Sequence, residues 1–191
     1  MSESSAKVKA NVVLALCLFM ASPIDLKRHK ALPPLPPSNY KPVTEFDPKR
    51  DAAQDLKDAI AEAKQTQRRI LLEVGGDWSL WSNIMDNTFE THHNLTDFRD
   101  HNYVTVKIYF GKENDNAKFL GQFPRVPDYP HFFVLESDGK FFHSQDTHAF
   151  ESGRTYNAGK IDAFLRKWAP GSPKGMTPDP PEPTIPRKHA R

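Results

Sequence analysis

Between residues 46 and 169 the apolar positions recur in two alternating rhythms, one helical and one extended. Over residues 51–65, Ala52, Leu56, Ile60 and Ala63 fall three or four apart, the spacing of one helix face. Ile70-Leu71-Leu72-Glu73-Val74 follows as a short apolar run stopped by Gly75-Gly76, which predicts a buried strand. Residues 78 to about 90 predict a helix, with Asp77 or Ser79 able to cap its start. A short helical stretch at 95–100 leads into residues 103–110, a β-branched and aromatic run suited to a central strand. Residues 116–123 predict another short helix. Two further apolar runs, 131–135 and 140–143, flank Ser137-Asp138-Gly139, and Asp-Gly is a strong hairpin-turn signal. Residues 157–168 close as an amphipathic helix through Ile161, Phe164, Leu165 and Trp168. From the first strand onward the order is β-α-β-α-β-β-α. It predicts an α/β fold whose mixed central sheet is flanked by helices, parallel in one half and an antiparallel hairpin in the other.

Proline sets the limits of that unit. Seven of the 17 prolines lie in residues 23–48 and seven more in 170–186, leaving three for 49–169. Pro33-Pro34-Leu35-Pro36-Pro37 favours an extended polyproline linker, and both flanks lack the apolar content to bury a core. The expected division is an apolar leader at 1–22, a proline-rich linker at 23–45, one folded domain at 46–169 and a disordered tail at 170–191. In the leader, about ten apolar residues follow Lys7 and Lys9 and end at Ala21-Ser22. A bilayer span needs roughly 20, so the run suits a secretory signal peptide instead. The expected location is periplasmic or secreted, with a retained N-terminal anchor as the alternative and the only route to a membrane.

Charge removes some functions. The net charge is +2, and no basic stripe interleaved with aromatics appears, so nucleic acid is not an expected partner. Arg187, Lys188, His189 and Arg191 read as a solvated tail. Eight histidines include the adjacent His92-His93, but none forms a metalloprotease-like pair with a carboxylate. No metal and no cofactor are expected. The one cysteine is Cys17, inside the leader, so a processed chain would hold no disulfide.

The remaining chemistry centres on Gly76-Asp77-Trp78-Ser79-Leu80-Trp81-Ser82, at a strand-to-helix turn. A Trp-Cys-x-x-Cys at such a turn is a redox dithiol; here both sulfur positions are serine. Val126-Pro127-Asp128-Tyr129-Pro130-His131 and Ser137-Asp138-Gly139-Lys140 complete a set of three motifs. With the element order, they make residues 49–169 resemble the thioredoxin-like superfamily, in particular its bacterial domains. The resemblance implies a thioredoxin fold with a cis bond at Tyr129-Pro130. It places Ser79 and Ser82 at the redox positions and Glu73 at the buried acid that relays protons to the inner cysteine. It also implies thiol-disulfide oxidoreductase activity, which a serine pair cannot perform, because a hydroxyl forms no disulfide and stays protonated near neutral pH.

The plain roles stand beside these: Ser79 as a helix cap, Glu73 as a strand glutamate at a sheet edge or hydrogen-bonded to a neighbour. A serine nucleophile would need a base, and His131 is the nearest by sequence. Two origins fit the serines. One is a natural protein without redox cysteines that serves as a redox-inactive module binding extended peptides or proteins through Trp78, Trp81, Tyr129, Pro130 and His131. The other is a reductase or isomerase in which both cysteines were changed to serine. The retained leader and Cys17 favour the first. A structural subunit tethered by its proline-rich flanks is a third reading.

Overall fold

The computed structural model describes residues 34–171; the leader and most of the expected tail lie outside the described residues. Asp51 caps α1 (Ala52–Thr66) by accepting from the amides of Ala53 and Gln54, and Gln67 ends it in the left-handed region. β1 (Arg69–Gly75) follows, then α2 (Leu80–Thr91), α3 (His93–Asn102) and β2 (Tyr103–Tyr109). α4 (Ala117–Leu120) is a short turn of helix, and β3 (His131–Leu135) and β4 (Phe141–Asp146) form the hairpin. A 3-10 turn (Thr147–Phe150) and a small ribbon of β5 (Glu151–Ser152) and β6 (Thr155–Tyr156) precede α5 (Ala158–Lys167).

The main sheet has the order β2-β1-β3-β4, with β1 parallel to β2 and antiparallel to β3. This is the mixed α/β architecture that the pattern predicts. Alternation along the strands gives the sheet two buried faces. Ile70, Leu72 and Val74 pack with Val104, Val106 and Ile108 beneath Leu56, Ala59 and Ala63 of α1. Leu71, Phe132 and Val134 pack on the opposite face with Met85, Phe89, Leu95 and the α5 residues Ile161 and Leu165. A strand covered on both faces reads as an unbroken apolar run, which is why β1 and β3 lack polar alternation.

Three details depart from the sequence reading. The folded unit begins before residue 46: Val43 is buried in the first core, bridges Val106 and accepts the Lys107 amide at 3.2 Å. Ser38 donates to Glu62 and the Gln65 side chain to the Pro37 carbonyl, so part of the proline-rich segment lies against α1. Prolines obscured this because they predict backbone extension, and an extended chain can still add to a sheet edge. α4 is shorter than expected, and the β5–β6 ribbon carries no run long enough to be read as strands.

Candidate functional site

The site forms where β1 ends. Gly75 and Gly76 let the chain turn tightly: a Cβ on Gly75 would lie 2.6 Å from Ser82 Oγ, and one on Gly76 would lie 2.4 Å from Trp78 Nε1. The Trp78 indole folds back over Gly76 and donates to the Phe110 carbonyl at 2.7 Å. Ser79 is the N-cap of α2 and accepts the Ser82 amide at 3.3 Å. Its hydroxyl also donates to the Tyr129 carbonyl at 3.3 Å, tying the helix start to the loop opposite. In that loop the Tyr129–Pro130 bond is cis, and the Pro130 carbonyl accepts from Thr147 at 2.5 Å.

Ser82 differs from Ser79. Its side chain is fully buried, and among the described residues its hydroxyl has no hydrogen-bond partner. An unpaired buried hydroxyl costs about 1–3 kcal/mol, whereas a thiol behaves as a small hydrophobe with a weak donor. The position is therefore better matched to sulfur than to oxygen.

Glu73 lies on β1, between β2 and β3, and is 1% exposed. The sheet-edge role is thereby corrected: this is an interior strand. Burial raises its carboxyl to about 7, with Lys107 working against the shift and Asp86 adding to it. Lys107 is its register partner on β2, yet pairs at 2.5 Å with Asp86 of α2. One Glu73 oxygen has no hydrogen-bond partner among the described residues.

The expected binding residues separate into exposed and buried sets. Trp78 is 55% exposed, and Leu80, which the sequence reading passed over, is 70% exposed. Tyr129 is half-buried, edge-on to Trp78 at 5.6 Å and stacked on Phe110 at 4.6 Å. Trp81 turns inward instead, against Tyr156 at 5.1 Å. Pro130 is buried. His131 is 2% exposed, with Nε2 2.8 Å from Ser144 Oγ, and burial pulls its pKa down to about 3. Its ring cannot touch a partner or serve Ser79, because β3 aims it into the sheet beside Phe133. The signal for Leu80 was its helix register: with Ser82, Met85 and Phe89 inward, position 80 faces out. Phe110 and Asp128 carried no such signal. Among the described residues no cluster of His, Cys, Asp or Glu is arranged to hold a metal ion.

Residues 51–137 match a family of thioredoxin-like proteins. A solved structure titled as the disulphide isomerase from Xylella fastidiosa Temecula1 is similar at 25% identity and a TM-score of 0.57, covering 64% of this chain and 94% of that one. The fold is thioredoxin-like. The oxidised C-terminal domain of DsbD from Neisseria meningitidis is similar at 15% identity and a TM-score of 0.48, covering 65% of this chain and 98% of that one. Compared with curated protein sequences, the chain finds no match. The fold is thus similar to that of a protein titled as a disulphide isomerase, while this chain, with the single cysteine Cys17, holds no pair of thiols to oxidise.

Proposed function

We propose that this is an exported, redox-inactive thioredoxin-like protein that binds extended peptides or protein segments at the Trp78–Tyr129 corner. The observation that carries the reading is an exposed apolar ledge, Trp78 and Leu80, beside redox positions that hold only hydroxyls. Trp78 is braced by its bond to Phe110 and by the Tyr129 ring, so it offers area at little entropic cost. Seating one Leu or Ile side chain there contributes at most about 1.5–3 kcal/mol, the full-burial value. Export rests on the apolar leader and places the protein in the periplasm or outside the cell. Among the described residues no helix is long and apolar enough to cross a membrane.

The test is a titration of the full chain with unfolded polypeptide, followed by amide and indole NMR shifts. Shifts at Trp78, Leu80 and Tyr129 are expected. If those signals stay still while the rest of the spectrum is sound, the binding reading is lost. N-terminal sequencing of protein recovered from the periplasm tests export.

A second reading has one observation in its favour: Glu73 remains buried with its carboxyl near neutrality, the property of a proton relay. On this reading the chain is a thiol-disulfide oxidoreductase with both cysteines changed to serine. Disulfide reduction by the Ser79→Cys, Ser82→Cys double variant supports it; an inactive double variant removes it.

A further inference from the structure

In an extended ligand pairing along the Tyr129 edge, two main-chain groups would do the work, the Tyr129 N–H and C=O. Both already have partners. The N–H donates to Asp128 Oδ1 at 2.8 Å, and the carbonyl accepts from Ser79 Oγ at 3.3 Å. A carbonyl has two lone pairs and can take a second donor, but an N–H has one hydrogen. Strand pairing at the amide therefore requires Asp128 to let go. Asp128 is exposed, and among the described residues no Lys or Arg stands within ion-pair distance of it. Its charge nevertheless reaches the ledge: the Tyr129 hydroxyl is pushed up to about 12, first by burial and then by Asp128, with Arg125 opposing. Asp77, also exposed, precedes Trp78 on the other rim.

We propose that the corner selects extended segments carrying an apolar side chain next to a lysine or arginine. The apolar group seats on Trp78 and Leu80, and the cation draws the Asp128 carboxylate off the Tyr129 amide, which then pairs with the ligand backbone. Arg125 keeps the surroundings from being uniformly acidic, so the selection resides in the Asp128 carboxylate rather than in a general field. The inference rests on the peptide-binding reading above and adds its ligand class.

The experiment titrates the full chain with three short glycine-serine peptides that differ only in a central Ile-Arg, Ile-Gln or Ile-Glu. The Trp78 indole and Tyr129 amide signals report binding. Ile-Arg is expected to bind roughly threefold or more tighter than Ile-Glu, as suits an exposed ion pair. The gap should narrow as salt is raised. Asp128→Asn keeps an oxygen for the Tyr129 amide and is expected to erase the preference. Equal binding of all three peptides, or a preference that survives Asp128→Asn, overturns the ligand class while the binding reading stands. If no peptide moves the Trp78 signal, the binding reading falls and takes this inference with it.

Discussion

Ser79 and Ser82 are three residues apart and chemically identical, yet the fold gives them opposite standing. Ser79 spends its hydroxyl on two partners, the Ser82 amide and the Tyr129 carbonyl. Ser82 buries its hydroxyl without a hydrogen-bond partner among the described residues. Removing an unpaired buried hydroxyl removes its desolvation cost, so Ser82→Ala is expected to stabilise the domain by about 1 kcal/mol. Urea denaturation reads this directly, and a loss of stability would mean that the hydroxyl has a partner after all. Glu73 gives a second prediction at this scale. Its carboxyl rises from 4.5 to about 7 on folding, so between these values the folded chain keeps a proton that the unfolded chain has released. The Glu73 contribution to stability is then fully present below about pH 4.5 and is lost as pH rises through about 7. Each pKa unit corresponds to 1.36 kcal/mol, which makes the loss roughly 3 kcal/mol. Glu73→Gln is expected to remove that loss, so that the unfolding free energy at pH 8 minus that at pH 5 rises by roughly 3 kcal/mol over the parent chain's.

The turn joining β1 to α2 works as a unit, because its glycines, its cap and its indole occupy one another's space. Gly76→Ala would put a methyl group into the Trp78 indole and break the bond to the Phe110 carbonyl. The expected result is a red-shifted Trp78 emission and weakened peptide binding, with unfolding free energy reduced by about 1 kcal/mol for the lost hydrogen bond. A variant with unchanged emission would show that the indole is held by its ring contacts alone. Along the sheet, the segment around Val43 adds to the β2 edge although prolines surround it. That edge is thereby partly covered, which limits pairing with other chains.

For the molecule as a whole, two buried ionisable groups set opposing pH limits. His131 is depressed from 6.5 to about 3, so its contribution is present above 6.5 and is lost as pH falls towards 3. Glu73 acts in the other direction between 4.5 and 7. Taken together, these two groups give a plateau of stability from about pH 4.5 to 6.5, with losses on either side. His131→Gln is expected to remove the acid limb and leave the neutral limb in place, and thermal melts across pH 3–8 report both. If the acid limb survives the substitution, other carboxylates carry it.

The element order was legible in the sequence because each segment states its own period. α1 repeats every three or four residues, β1 and β3 are unbroken apolar runs, and Ser137-Asp138-Gly139 marks the hairpin between β3 and β4. The site's address was legible too, since Gly76 to Ser82 and Tyr129-Pro130 are local motifs. What those motifs expose was not. Whether Trp81 points out or in and whether His131 is reachable depend on β6 and β4, which come from elsewhere in the chain, and whether Ser82 finds a partner depends on how the turn packs. Burial and hydrogen bonding are properties of assembled neighbours, so only the tertiary structure decided that the ledge consists of Trp78, Leu80 and Tyr129. The lack of a dithiol needed no structure at all: one cysteine cannot form an intrachain disulfide, however the chain folds.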